Sequence, residues 1–249
     1  TVTGASRTQL TTQTPSNQIQ PSWSSDASMI AYASNGTIQT PSDASWEIFT
    51  MSADGTSQTQ LTSQTPSWAI APAYSPVNDD ILFVSNKNAT GGSSLWLWDD
   101  SASSASEVKD GPGRDGDASP ALAGLGTALN LPTNAGISKP VWSPDGDYVA
   151  YAAERTAGGY IDIYILDMNN LPSSETLEEF VDRVHGATNP AITTNEDEFA
   201  PFWLEDNSGI AFVKDDGSGN AQIYKVNFAT GAVTKLTATG NNVSPASKR

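Results

Sequence analysis

One sentence of residues is written four times along this chain, and no other feature constrains the fold as much. Its clearest copy is Pro140-Val-Trp142-Ser-Pro-Asp145-Gly146-Asp-Tyr148-Val-Ala-Tyr151, followed after a Gly-Gly break by Tyr160-Ile-Asp-Ile-Tyr164-Ile-Leu-Asp167. Ser143 to Gly146 has the composition of a tight turn: Pro presets its φ, Ser and Asp bond the local backbone, and Gly accepts a positive φ. Tyr148 to Tyr151 reads as a strand, and Ile161, Ile163 and Ile165 recur with a period of two, which marks another. The other copies begin at Pro21-Ser-Trp23, Pro72-Ala-Tyr74 and Pro201-Phe-Trp203. Each runs on to an apolar strand (Ile30-Ala-Tyr32, Ile81-Leu-Phe83, Ile210-Ala-Phe212) and a third strand (Ile48-Phe-Thr-Met51, Leu95-Trp-Leu-Trp98, Ile223-Tyr-Lys-Val226). Successive prolines are 51, 68 and 61 residues apart, from positions 21, 72, 140 and 201, so the insertions fall between strands. Units of this size with about four strands each are the mark of propeller blades.

A fourth strand is expected from Gln58-Thr-Gln-Leu61-Thr62 in the first unit and Ala232-Val-Thr-Lys-Leu236-Thr237 in the last. Thr127 to Leu131 and Pro190 to Thr193 are assigned the same part in the second and third units. Together these residues resemble the TolB-type, WD-like β-propeller repeat, roughly Pro-x-Trp-Ser-Pro-Asp-Gly, an apolar strand, a strand ending in Asp, and a Gln-Leu-Thr strand. The expected fold is all-β, a propeller of four-stranded antiparallel blades over residues 16–65, 66–136, 137–194 and 195–240. Residues 1–15 form a stray fourth strand in front and 241–249 a stub behind. The resemblance covers nearly the whole chain and is specific for fold, since such propellers serve as binding modules, peptidase gates and lyase scaffolds alike.

The stray strand matters because Arg7, Gln9 and Leu10 copy the Gln-Leu-Thr end of the first unit without three strands before them. Three arrangements fit: a segment of a longer propeller, a small ring closed by that strand, or completion by a neighbouring chain. An arc that fails to close leaves edges that promote association. No leader of basic and apolar residues opens the sequence, so a signal peptide is expected to be removed already or never present.

Composition narrows the partners. The formal charge is −16, from 28 acidic against 12 basic residues, which excludes a phosphate-backbone partner driven by clustered Lys and Arg. No apolar run is long enough for a membrane helix. Cysteine is absent, which removes disulfides, thiolate metal sites and thiol nucleophiles. The sequons at Asn35, Asn88 and Asn242 are expected by chance in so Ser/Thr-rich a chain. An extracellular or periplasmic location is what the family resemblance implies.

Two insertions interrupt the pattern. Residues 101–126 read as a Gly/Pro/Ser-rich loop, in which Asp110, Asp115 and Asp117 are weak calcium candidates lacking the spacing of a calcium loop. Residues 171–186 read as a helix capped by Ser173 or Ser174. Leu177, Phe180, Val181 and Val184 form its apolar stripe against the outer edge of the third blade.

No catalytic motif is found: no Gly-x-Ser-x-Gly, no His-Glu-x-x-His, no phosphate loop or dinucleotide fingerprint. The sole histidine, His185, ends the helix without an orienting acid in view. No cofactor is expected. Trp23, Tyr74, Trp142 and Trp203 recur at one place in the repeat and are expected to pack blade on blade. Trp68 is the better candidate for an exposed contact. The binding face is assigned to the loops that lead into the inner strands and those joining second to third strands, with Gln18, Gln20, Trp68, Lys139, Arg155, Glu196, Asp197, Glu198, Asp215 and Asp216 as its residues. The function read from this is non-catalytic binding or scaffolding of a protein or peptide, with self-association through the terminal strands. The alternative is an accessory propeller of a larger hydrolase or polysaccharide lyase.

Overall fold

A computed structural model describes residues 8–12, 16–36, 46–63, 67–87, 93–110, 139–154, 160–171, 173–186, 196–215, 220–240 and 242. Among the described residues sixteen strands form four antiparallel sheets of four, each from one contiguous unit, arranged as the blades of a β-propeller. The first blade holds β1 (Gln18–Trp23), β2 (Met29–Ser34), β3 (Glu47–Ser52) and β4 (Thr59–Gln60). The second holds β5 (Ala69–Tyr74), β6 (Ile81–Ser85), β7 (Ser94–Asp99) and β8 (Ser104–Asp110). The third holds β9 (Val141–Trp142), β10 (Tyr148–Glu154), β11 (Ile161–Asp167) and β12 (Ser174–Thr176). The fourth holds β13 (Glu198–Trp203), β14 (Gly209–Asp215), β15 (Ala221–Asn227) and β16 (Val233–Lys235).

Two fourth strands differ from expectation. In the second blade β8 lies at residues 104–110, inside the stretch read as a loop, and Thr127 to Leu131 falls outside the described residues. In the third blade β12 precedes the helix, and Pro190 to Thr193 is likewise outside the described residues. Both outer strands lack the Gln-Leu-Thr signature, so pairing with the third strand placed them where pattern matching had no handle.

The turn between first and second strands is built from hydrogen bonds that the repeat writes into its residues. Ser143 Oγ donates to Asp145 Oδ1 at 2.6 Å and accepts from the Tyr148 backbone N–H at 2.9 Å, while the Asp147 N–H donates to Asp145 Oδ1 at 3.1 Å. The first blade repeats the set: Ser24 Oγ donates to Asp26 Oδ1 at 2.8 Å, and the Met29 and Ser28 N–H groups donate to Ser24 Oγ and Asp26 Oδ1 at 2.9 Å each. These donors hold the Asp26 carboxyl below the ordinary carboxylate range. The turn needs a left-handed residue, supplied by Gly146 (φ 80°) in the third blade but by Ala27 (φ 58°) in the first. An L residue there is strained by about 1–2 kcal/mol, against about 0.5–1 kcal/mol of extra chain entropy for glycine. Ala27→Gly is therefore expected to stabilise the protein by about 0.5–1 kcal/mol in urea unfolding.

The blades stack face on face. Each carries on one face an aromatic pair from its second and third strands: Tyr32 with Phe49, Phe83 with Trp96, Tyr151 with Tyr164, and Phe212 with Tyr224. The ring centroids are 5.6, 6.4, 5.6 and 6.0 Å apart and near-parallel, a geometry worth about 0.5–1.5 kcal/mol per pair beyond the area buried. The opposite face of each of the first three blades is aliphatic. Ala33 and Ile48 meet the second blade's pair, and Leu82, Val84 and Leu95 meet Val149, Tyr151 and Tyr164, all in one continuous core. Ala150, Ile163 and Ile165 of the third blade join Ile210, Phe212 and Val226 of the fourth in a second core.

The helix α1 (Leu177–His185) completes that second core. Its cap is Thr176, not Ser173 or Ser174: the Glu179 N–H donates to Thr176 Oγ1 at 3.2 Å and the Thr176 N–H donates to Glu179 Oε2 at 2.8 Å, a reciprocal capping box. Leu177, Phe180 and Val181 are buried, whereas Val184 is exposed. The helix touches β11 and β12 as expected and also reaches the next blade, with the Phe180 ring edge-on to Trp203 and Phe228. It is a wedge in the seam between the third and fourth blades.

Candidate functional site

The inner strands converge as four unequal pieces around an axis. In three of them a bulge breaks the register just before the repeat proline, between Ile19 and Ser22, Ile70 and Ala73, and Phe199 and Phe202. The residue before each proline (Gln20, Ala71, Ala200) takes a left-handed φ of 55°, 56° and 50°. Such strain in non-glycine residues persists only where the surroundings fix it, and a bulge re-aims the strand that carries it. Here the Ala71 N–H is held by Gln20 Oε1 at 2.9 Å and the Tyr74 N–H by Ser22 Oγ at 3.1 Å, so neighbouring inner strands are tied side by side. Lys139 occupies the matching place in the third blade. It reaches across the axis to the Pro21 carbonyl at 3.3 Å, and burial lowers its pKa.

Past the prolines the inner strands enclose an axial cavity of about 790 Å³, to which all four blades contribute. Its walls are mostly proline and aromatic: Pro21 and Trp23, Tyr74, Pro140 and Trp142, and Trp203. Lys139 stands in the wall and Glu205 at the exposed rim. The Tyr74 hydroxyl is pushed up to about 12, by burial first and then by the negative charges of Asp79, Asp100 and Asp26. The groove is therefore apolar and flanked by one amine and several carboxylates, able to take an extended chain with one or two charged side chains. Among the described residues that line it, none are arranged as a nucleophile and base.

The repeated aromatics only partly follow the expectation that they seal one blade on the next. Trp142 Nε1 donates to the Ala73 carbonyl of the blade before at 3.0 Å, and Trp203 Nε1 does the same to Val141 at 3.1 Å. Trp203 is 4% exposed, but Trp23 is 45% exposed. Trp68, read as an exposed contact, is buried at 8% in the first core, its backbone N–H held by Asn86 Oδ1 at 2.8 Å. As an indole ahead of β5 it filled the seam between the first two blades, where apolar area outweighs exposure.

Where they are described, the residues leading into an inner strand meet those that follow the second strand of the same blade, as at Asn17 and Asn35, Trp68 and Asn86, and Asp197 and Asp215. Asn17 and Asn35 exchange bonds, the Asn17 N–H donating to Asn35 Oδ1 at 2.7 Å. Gln18 is half-buried and donates to Ser16 Oγ at 3.0 Å, and Gln20 is spent on the seam. Around the fourth blade the acids are tied inward: buried Lys214 lies 3.6 Å from Glu196 and 3.9 Å from Glu198, and Asp197 Oδ1 accepts the Ile161 N–H at 3.0 Å. Asp215 donates its N–H to the Asp197 carbonyl at 3.1 Å. Of the assigned binding residues Lys139 alone lines the cavity, while Arg155 and Asp216 lie outside the described residues. Asp115 and Asp117 also fall outside them, as does the side chain of Asp110. Among the described residues no group of three or more His, Cys, Asp or Glu side chains is placed to hold a metal, and no helix is long and apolar enough to cross a membrane.

The role of the Gln-Leu-Thr strand was missed. Thr62 Oγ1 accepts the Ile48 N–H at 2.8 Å and donates to the buried Glu47 carboxylate at 2.6 Å. Thr237 repeats this with the Ile223 N–H at 2.9 Å and Gln222 Oε1 at 2.8 Å. The signal was an acid or amide at the start of the third strand, fifteen residues before each threonine.

No protein-family model matches the chain, and no curated protein matches it. Solved structures do. TolB from Acinetobacter baumannii superposes with a TM-score of 0.62 at 20% identity over 92% of this chain, and a putative TolB from Agrobacterium tumefaciens with 0.60 at 14% over 88%. One structure from a study of two prolyl endopeptidases gives 0.57 at 14% over 91%. The chain covers 45%, 64% and 30% of those proteins, so it spans about half the length of the TolB structures it resembles. The fold is that of a TolB-like β-propeller.

Proposed function

We propose that the chain is a non-catalytic binding propeller of an extracytoplasmic compartment, holding a protein or peptide segment in its axial cavity. The observation that carries this is the convergence of four inner strands on one groove of prolines and aromatics, with Lys139 in its wall and Glu205 at its rim. Aromatic walls give contact area at small entropy loss, and a few placed charges fix the orientation of what binds. A net charge of −16 steers basic segments toward it.

The test is binding of a dodecapeptide selected from a displayed library on the full chain. Tyr74→Ala and Glu205→Lys should each weaken it at least about tenfold, or about 1.4 kcal/mol, with unchanged circular dichroism. Peptides that bind equally well to both variants would sink the cavity as the site. The likeness to a prolyl endopeptidase favours a second reading, an accessory propeller of a larger hydrolase or lyase. On that reading substrate segments thread the cavity to chemistry supplied from outside these residues, and the chain alone shows neither tight peptide binding nor turnover.

A further inference from the structure

The axial cavity holds an amine whose charge the described residues do not balance. The residue before the repeat proline is Gln20, Ala71, Lys139 and Ala200 in the four blades. The Gln20 amide is spent on the Ala71 N–H, and the two alanines end at a methyl. Lys139 alone of the four brings an amine to the axis, where Nζ donates to the Pro21 carbonyl at 3.3 Å. Among the described residues no carboxylate lies within ion-pair distance of it. Lys214, buried in the fourth blade, shows the contrast. Glu196 and Glu198 flank its Nζ at 3.6 and 3.9 Å, and the Tyr224 ring lies 5.8 Å away.

The walls around Lys139 set its chemistry. They are prolines and the rings of Trp23, Tyr74, Trp142 and Trp203, and among the described lining only Tyr74 and Glu205 are further titratable groups. Such walls solvate an ammonium poorly, so burial lowers the amine's pKa with no neighbouring acid to raise it. An ordinary lysine is uncharged in about one molecule in 2,500 at pH 7, and each tenfold fall in proton affinity multiplies that nucleophilic form about tenfold. Desolvation in an apolar pocket is one of the ways a lysine is activated for attack on a carbonyl. The cavity opens at the exposed Glu205 rim, so a small molecule can reach the amine.

We propose that Lys139 is a covalent capture site for small aromatic aldehydes, which seat their ring against the cavity's indoles and form an imine with Nζ. The amine lone pair adds to the carbonyl carbon while an N–H proton passes to the carbonyl oxygen. The carbinolamine then expels that oxygen as water with the second N–H proton, leaving a C=N bond. The step consumes no oxidant or reductant, and hydrolysis reverses it. Stacking on the indoles favours a flat ring over an alkyl chain. The site goes beyond the holding of a peptide and stands without it, because it needs only the amine and the rings.

The probe is benzaldehyde on the full chain at pH 7, with cyanoborohydride to fix each imine as a benzylamine and peptide mapping by mass spectrometry to read it. Lys139 should be labelled at least about tenfold faster than the exposed Lys87 and Lys235. The preference should vanish in guanidinium chloride, and propanal should show one at least about threefold smaller. Ser22→Asp puts a carboxylate in the cavity wall beside the Pro21 carbonyl that Lys139 touches. It should slow labelling of Lys139 at least about fivefold and leave Lys87 unchanged, with the same circular dichroism. Labelling of Lys139 no faster than that of Lys87 would overturn the proposal. So would a preference that persists in the unfolded chain, that propanal shares in full, or that Ser22→Asp leaves intact.

Discussion

Trp203→Ala should cost about 3–5 kcal/mol, the range for emptying a large aromatic site in a packed core. The side chain stacks on Tyr148 at 6.2 Å, meets Phe180 and Phe228 edge-on at 6.2 and 5.6 Å, and donates to the Val141 carbonyl. Its removal takes away the centre of the seam between third and fourth blades and leaves α1 without the surface it wedges against. Trp203→Phe keeps most of the area and loses the indole bond, so it should cost about 1–2 kcal/mol. The control is Trp23→Ala at the same repeat position. With half its surface in water, that change should stay within about 1 kcal/mol. Urea unfolding of the three variants checks the order, and equal effects at positions 203 and 23 would refute the seam account.

The second large effect is expected at Thr62. Thr62→Val keeps the shape but removes the donor to a buried carboxylate and the acceptor of the Ile48 N–H. Hydrogen bonds to charged groups are worth about 1.5–3 kcal/mol, and burial of what is left behind raises the loss, so about 2–4 kcal/mol should disappear. Glu47→Gln alone should cost less than about 1 kcal/mol, because the fourth blade uses Gln222 in the same place with Thr237. In the Thr62→Val background Glu47→Gln should recover part of the loss, since an amide is less expensive than a carboxylate to leave short of a donor. A double-mutant cycle by chemical denaturation measures the coupling, and a coupling near zero would show that the hydroxyl is not what anchors the outer strand.

Much of the fold was legible because its elements carry local signatures. The Ser-Pro-Asp-Gly turn, the period-two isoleucines of β11 and the repeated proline all act over a few residues, and each reappears as geometry. The cap of α1 was misread by two or three residues because Ser173, Ser174 and Thr176 are equally able acceptors in sequence. Only the reciprocal bond from Glu179 chose Thr176. The outer strands β8 and β12 were misplaced for a related reason. An outer strand pairs on one side only, so its residues are weakly specified and the partner strand decides where it lies.

The candidate site was less legible than the fold. Acids at 196–198 looked like a rim and turned out to be held by Lys214 and by the backbone of the third blade. The repeat thus determined the four blades, the pairing of the first three strands within each, and that an aromatic follows every inner proline. Tertiary structure alone decided which of those identical aromatics is sealed and which stands open. Trp23, Trp142 and Trp203 are the same residue in the same local frame; they differ in whether a neighbouring sheet lies within reach of the indole, and proximity between distant segments is not written in any one of them.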